Sequence, residues 1–412
     1  MIVFDTDRWV ELAETLRTSK LRTAATALAV AWGIFMLVIL LGAGRGIRNG
    51  VENNFDDDAI NSIWVYSGRT SKPFAGYGVG RSIRFRISDY DQILENIDRV
   101  EHSTARFYLS GQFTVRYGRE VSSFEVRACH PGHRYIENTI ITEGRFINEI
   151  DLRDRRKVAV IGPAVVERLF EHTPPVGEYI EISGTPYRVV GTFNDTGWES
   201  ELSKIYVPIT TAQTAYGGGD TVHQIMFTVG DASAEESRAI TEDVRRLLAR
   251  RHGFAVDDKR AVGLRNSVER AETLENLFAG IDLFIWIVGI GTILAGIVGV
   301  SNIMLISVRE RTREIGLRKA LGATPRTIVS QIIMEALVIT SVSGYLGLMA
   351  GLGLLEAAKV YVPKSDFFQN PEADLGVVVS ATLLLIVSGV LAGYFPARLA
   401  AQVNPVEALR AE

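Results

Sequence analysis

Leu283 to Val308 reads LFIWIVGIGTILAGIVGVSNIMLISV, and Arg309 to Gly322 follows at once as RERTREIGLRKALG. The first stretch carries no Asp, Glu, Lys or Arg and exceeds the roughly 20 apolar residues an α-helix needs to cross about 30 Å of hydrocarbon. The second is dense in arginine. A long uncharged run that stops at a cluster of cations predicts a membrane span meeting water. Bulk composition does not announce this, because 47% hydrophobic and 22% charged residues are close to soluble averages. The clumping of the apolar residues decides it.

Three further runs meet the same length requirement: Thr23 to Ala43 without a charge, Ile328 to Leu355 with Glu335 alone, and Leu375 to Phe395. Pro396 follows the last, where a helix can kink or stop. The predicted fold class is an α-helical membrane protein with four transmembrane helices plus a large mixed α/β extracytoplasmic domain between helices 1 and 2. The chain is expected to divide into a cytoplasmic amphipathic helix over 1–22, helix 1 over 23–43, a stalk helix over 44–60, the α/β domain over 61–258, and a second stalk helix over 259–282. Then come helix 2 over 283–308, a cytoplasmic loop over 309–326, helix 3 over 327–355, an external loop over 356–374, helix 4 over 375–396 and a tail over 397–412.

Basic residues near the ends of the spans set orientation. Arg8, Arg17, Lys20 and Arg22 precede the first span, six Arg and Lys lie between Arg309 and Arg326, and Arg398 and Arg410 follow the last. The loop on the other side holds only Lys359 and Lys364. Both termini are therefore expected to be cytoplasmic and the domain outside. Arg45 and Arg48 oppose this and are outvoted. Trp9, Leu12, Ala13 and Leu16 recur at helical spacing, which reads as an amphipathic helix leading into an uncleaved anchor.

The domain alternates short strand and helix signals. Ile63 to Tyr66, Val158 to Ile161, Tyr179 to Ile182, Tyr187 to Val190 and Ile205 to Val207 read as strands. Gln112 to Arg116 and Ser123 to Arg127 flank a turn at Tyr117-Gly118-Arg119. Ser88 to Ile97, with Ser88 as N-cap, Pro163 to Phe170, and Ala234 to His252 read as helices. Ile47, Val51 and Phe55 after span one, and Val268, Ala271, Leu274, Phe278 and Ile281 before span two, carry helical rhythms that suit a stalk.

Enzyme chemistry is missing from these patterns. No G-x-x-x-x-G-K-[ST] phosphate loop occurs, and no nucleophile with a nearby base stands out. Cys129, His130 and His133 are too few for a zinc site. Net charge is −4, with no basic surplus to suggest nucleic acid. The expectation is no catalytic residue, no metal and no cofactor bound by this chain.

The charged loop carries the sharpest local signal. Arg309 to Gly322 predicts a short helix with a Glu314–Arg318 pair at i, i+4, an apolar face of Leu317, Ala320 and Leu321, and a stop at Gly322. Thr324 then caps the next helix with Pro325 at its first position. Such a helix can seat in a cleft of a soluble partner and pass force to the membrane, or serve as a solvated connector. Gly347 and Gly351, and Gly389 and Gly393, form GxxxG pairs that let helices approach closely, within the chain or between copies; Gly291, Gly296 and Gly299 add small residues to span two. No polar track crosses the bilayer, and Glu335 reads as a structural partner for an arginine more than a proton relay. Asn404 to Arg410 has the form of a capped short helix.

Taken in order, these segments resemble the MacB/FtsX-type permeases, the membrane subunits of ABC transporters. The resemblance rests on Leu16 to Thr23, Glu143-Gly144-Arg145-Phe146, Val158 to Gly162, Pro175-Val176-Gly177, Val189-Val190-Gly191, Tyr206 to Ile209, Arg309 to Gly322, Pro396-Ala397-Arg398 and Asn404 to Arg410. It implies an ATPase-coupling element made of Arg309, Arg311, Arg313, Glu314, Ile315, Gly316, Leu317, Arg318, Lys319, Leu321 and Gly322, with a second contact at Pro405, Glu407, Leu409 and Arg410. It also implies a cytoplasmic ABC ATPase dimer on separate chains that binds ATP and magnesium, and a second copy or a related permease. A periplasmic adaptor and an outer-membrane channel are further implied partners, in an inner membrane. The implied function is mechanotransmission from ATP hydrolysis to the outer domains, driving export through a tripartite-type system. Release of lipoproteins and regulation of a cell-wall hydrolase are the alternatives.

Overall fold

The computed structural model describes residues 20–53, 59–109, 113–171, 173–194, 201–363, 365, 368–373 and 375–404. The chain forms two compact units, residues 1–51 with 277–412, and residues 52–276. The first described element is one long helix, α1 (Lys20–Asn53).

The second unit then follows as β1 (Ser62–Ser67), β2 (Phe85–Arg86), α2 (Ile87–Asn96), β3 (Ser103–Tyr108), β4 (Phe113–Tyr117), β5 (Glu120–Cys129), α3 (His133–Ile136), β6 (Ile140–Gly144) and α4 (Glu149–Arg153). It continues with β7 (Val158–Ile161), α5 (Pro163–Phe170), β8 (Tyr179–Ile182), β9 (Thr185–Asn194), β10 (Lys204–Pro208), α6 (Ile209–Ala215), β11 (Thr221–Val222), β12 (Gln224–Thr228), α7 (Ala234–His252) and β13 (Val262–Asn266). The large sheet runs β10-β7-β9-β8-β4-β5-β3-β12-β1-β13, with β6 on β9.

β5 organises this sheet because it is long enough to serve three neighbours. Its first half pairs antiparallel with β4, from Tyr117↔Glu120 to Phe113↔Phe124. Its second half pairs parallel with β10, from Lys204↔Glu125 to Pro208↔Cys129, and Ala128 and Arg127 also reach β3. Since β10 pairs with β7 as well, strands β10, β7, β9, β8, β4 and β5 close on themselves. Closure leaves few open edges in that half. Val115, Val126, Ile161, Ile180, Tyr187 and Val207 are fully or nearly fully buried within this core. Charges that go inside do so in pairs, as burial demands: Arg106 with Glu137, Lys204 with Glu201, and Arg251 with Asp89 at 2.8 Å.

The helices begin and end where their terminal residues allow. α7 starts with a reciprocal box between Ser233 and Glu236 and ends at Gly253 with φ +61°, the left-handed stop glycine adopts without strain. α5 starts with Pro163 in its first turn. α2 differs from the sequence expectation: Arg86 is its N-cap, its N–H held by the Asp89 carboxylate at 2.9 Å, and Ser88 lies inside the helix.

After β13 come α8 (Ser267–Glu310), α9 (Thr312–Ala320), α10 (Pro325–Tyr361) and α11 (Leu375–Gln402). Four segments are long and apolar enough to cross a membrane, within α1, α8, α10 and α11. Their outward side chains are large and apolar, Leu283, Phe284, Ile287, Leu346, Leu383 and Phe395 among them, as helices facing lipid require. Two boundaries, at Val262–Asn266 and at Pro396, correct the sequence reading. Val262–Asn266, placed within a stalk helix, is a strand on β1. α8 then runs unbroken from Ser267, and Arg48 of α1 lies 5.0 Å from the Phe278 ring of α8. Pro396 stops nothing, since α11 continues to Gln402.

Within the helical unit α1 is sandwiched through glycines. Thr292 of α8 stands against Gly33 at 3.5 Å and Gly296 of α8 against Val30 at the same distance, measured from the position a Cβ would take. On its other side Gly347 and Gly351 of α10 meet Ala31 and Val38. Gly389 and Gly393 of α11 press on Thr340 and Ala336 of α10. All four glycines leave no room for a Cβ without movement, so both GxxxG pairs are spent on packing inside this chain. Gly291 and Gly299 have nothing near them.

Candidate coupling site

α8 gives way to α9 at Arg311, whose φ of −103° and ψ of 12° bend the backbone out of the helical register. Thr312 stabilises the bend by donating its hydroxyl to the carbonyl oxygens of Arg309 at 2.8 Å and Val308 at 3.2 Å. At its far end α9 turns through Gly322, φ +102°, a conformation with a steric cost for any side chain. Thr324 then accepts the N–H of Thr327 at 3.3 Å with Pro325 next in line, which starts α10. Local chemistry therefore fixes both ends of this nine-residue helix.

Its faces differ. Ile315 and Gly316 are buried against the helical core. Arg313, Glu314, Leu317 and Leu321 are exposed, Leu321 at 82%, as is Arg309 before the bend. Two cations tie α9 to separate helices. Arg318 donates to Glu314 at 2.7 Å on its own helix and to Gln331 of α10 at 3.1 Å. Lys319 reaches the carbonyl oxygens of Ala401 and Val403, at 2.9 and 2.6 Å. Those groups end α11, where a helix leaves acceptors unfilled and favours a positive charge. Arg311 approaches Glu335 of α10 at 3.8 Å, and Glu335 is only 6% exposed. A carboxylate inside a span needs such a partner.

The coupling residues read from the sequence thus fall on one corner of the helical unit, divided between an outward set and a set bound to α10 and α11. Sequence reasoning missed Gln331 and the α11 carbonyls. A glutamine in the opening turns of an apolar span was a signal for the first; nothing local marks the second. Pro405, Glu407, Leu409 and Arg410 lie outside the described residues, as do Trp9, Leu12, Ala13 and Leu16. Cys129, His130 and His133 do not converge as ligands. His130 Nδ1 accepts the Ala105 N–H at 3.0 Å, and burial holds its imidazole down at about 4. His133 faces Glu137 at 2.9 Å, and burial with Arg106 and Arg127 nearby keeps it well below its ordinary range. Burial pushes the Cys129 thiol up to about 12, so it is inert.

The chain thus combines four apolar helices, a corner helix bound to the ends of its neighbours, and an α/β domain between the first and second of those helices. The chain belongs to the family of the MacB-like periplasmic core domain, whose model matches residues 23–244, and the FtsX-like permease C-terminal domain matches residues 286–405. Among similar proteins, the macrolide export ATP-binding/permease protein MacB of Chlorobaculum tepidum is 28% identical over 98% of this chain and 61% of its own length. The pyoverdine export ATP-binding/permease protein PvdT of Pseudomonas savastanoi pv. phaseolicola is 31% identical over 96% of this chain and 58% of its own. The chain therefore spans about three-fifths of those curated relatives. The periplasmic region of MacB from Actinobacillus actinomycetemcomitans aligns over 55% of this chain and 98% of its own, at 20% identity and a TM-score of 0.44.

Proposed function

We propose that this chain is the membrane subunit of an ABC exporter in which α9 receives the motion of a nucleotide-hydrolysing partner and passes it along the helices. The observation that carries this reading is the division of α9: Leu317, Leu321 and Arg313 face outward, while Lys319 and Arg318 bind the helix to α11 and α10. An exposed apolar pair beside a cation suits a cleft on another protein. A short helix held by several side chains moves with its neighbours as a unit.

ATP and magnesium chemistry belongs in this reading to the nucleotide-hydrolysing partner; the two relatives named above are ATP-binding/permease proteins by name. That partner is a cytoplasmic ATPase dimer under two permeases, either two copies of this chain or this chain with a related one. The basic segments support a cytoplasmic side for α9 and for both ends, in an inner membrane. The apolar, pore-free spans support transmission of force to the domain, with substrate pushed outward through a periplasmic adaptor and an outer-membrane channel. The two relatives named above are an exporter of macrolides and one of pyoverdine by name, which supports export over a purely regulatory role.

Charge reversal at Arg313 and Arg318 tests the reading. The full chain carrying Arg313→Glu and Arg318→Glu should lose most of its co-purifying ATPase, while the domain keeps its fold. Undiminished ATPase recovery from the double variant would remove α9 from the coupling path.

A further inference from the structure

We propose that Asn266 is a positioning residue, the joint that fixes the first turns of α8 to the α/β domain so that the domain follows a displacement of that helix. A joint of this kind deepens the exporter reading and rests on it.

Asn266 ends β13 and stands directly before Ser267, the first residue of α8. Its side chain is buried and works on two helices at once. Oδ1 accepts the Glu269 N–H at 3.2 Å and the Ser237 hydroxyl at 2.8 Å. Nδ2 donates to the Thr241 hydroxyl at 3.2 Å. The Glu269 N–H can only donate, which settles which end of the amide faces α8. Asn266 thus caps the start of α8 and binds two successive turns of α7. α7 is anchored in turn in the domain core through Val244, Leu248 and Ala249.

β1 holds the same turn from another side. The hydroxyls of Ser62 and Ser267 share a hydrogen bond at 3.0 Å, and the Trp64 indole N–H donates to the Ser62 oxygen at 2.8 Å. Ser62 and Ser237 are fully buried and Ser267 nearly so. Polar groups shielded from water find no replacement partner when such bonds break, so the knot resists opening. Arg238 also meets Glu269 at 3.2 Å, but that pair lies on the surface, where solvent weakens it.

A cap alone does not demand asparagine, because Ser, Thr and Asp supply the acceptor as well. The tie to α7 demands a donor on the same side chain, since the Thr241 hydroxyl already gives its proton to the Ser237 carbonyl at 2.8 Å. A side-chain amide provides both. From this joint α8 runs to Glu310, next to the bend at Arg311 where α9 begins. One helix therefore carries the joint at its start and the coupling segment at its end.

Spin labels on the full-length chain reconstituted in lipid test this. Arg246→Cys on α7 and Glu275→Cys on α8 are exposed labelling positions, and Cys129, fully buried with its thiol pushed up to about 12, stays unlabelled. The distance distribution between the two labels should be narrow. Asn266→Ser keeps a capping oxygen and removes the amide donor, and should broaden the distribution about twofold or more as the joint opens locally. Thr241→Val with Ser237→Ala leaves the cap in place and should broaden it to the same degree; this pair decides alone should Asn266→Ser fail to fold. A distribution as narrow as the parent's in either folded variant overturns the proposal, because the cap would then suffice. The measurement needs no bound ATPase, so the two readings fail separately: the joint by an unbroadened distribution, the coupling helix by undiminished ATPase recovery with Arg313→Glu and Arg318→Glu.

Discussion

Glycines carry much of the helical packing, and their effect can be isolated residue by residue. A Cβ at Gly347 would run into the backbone of Ala31, whereas Gly353 on the same helix faces open space. Gly347→Leu should therefore destabilise the helical unit by about 1–3 kcal/mol or more through overpacking. Gly353→Ala should stay within about 0.5 kcal/mol. Unfolding of the detergent-solubilised chain measures both, and equal effects would contradict the assigned contact. In the domain, Asp258 does comparable work by electrostatics. Its carboxylate accepts the Ser71 N–H and hydroxyl at 2.7 and 2.6 Å, the Lys72 N–H at 3.0 Å and the Arg260 N–H at 3.2 Å. Burial raises its pKa, but these donors outweigh it and hold the carboxyl down at about 2. A depressed carboxylate stabilises the fold fully above its unfolded-state value near 3.8, and the contribution fades as pH falls through about 2. Asp258→Ala should cost about 1–3 kcal/mol near neutral pH. The gap between variant and parent should narrow only below about pH 4.

At the scale of elements, α9 acts through its fastenings. Lys319→Met removes a charged donor from the last carbonyls of α11 and should cost about 1.5–3 kcal/mol, with faster amide exchange confined to the end of α11 and to α9. Protection unchanged at that end would mean the two helices are held together by other contacts. Thr324→Ala should cost about 1 kcal/mol by removing the α10 cap, with exchange rising in the first turn of α10. These elements also show what the amino-acid order reveals. α5, α7 and the start of α10 were legible because their signals are local: Pro163, the Ser233–Glu236 box, and Thr324-Pro325. β3 and β12 were not, because STARFY buries Thr104 and Arg106 along with its apolar residues and QIMFT offers only three apolar residues between two buried polar ones. Their stability comes from pairing across the chain, Ser103 with Phe227 and Ser62 with Thr228. The candidate site divides in the same way. Its helix was readable from Glu314, Arg318 and Gly322, while the ties to Gln331 and to the α11 carbonyls exist only after the helices are packed.

For the whole molecule, the decisive property is what the helices do not offer. Charged groups avoid the spans apart from Glu335, which meets Arg311, and the interior of the helical unit is filled by close glycine contacts. Leu321, which caps the end of α9 and is 82% exposed, is the residue most directly placed to report what touches it. A photo-reactive amino acid substituted at Leu321 and irradiated in intact cells gives the most direct test. The account predicts a crosslinked product between this chain and a protein that carries an ATP-binding phosphate loop, with none from the same group placed at Leu283 on the lipid-facing side of α8. Adducts from Leu321 that contain only lipid, or no adduct at all, would contradict it.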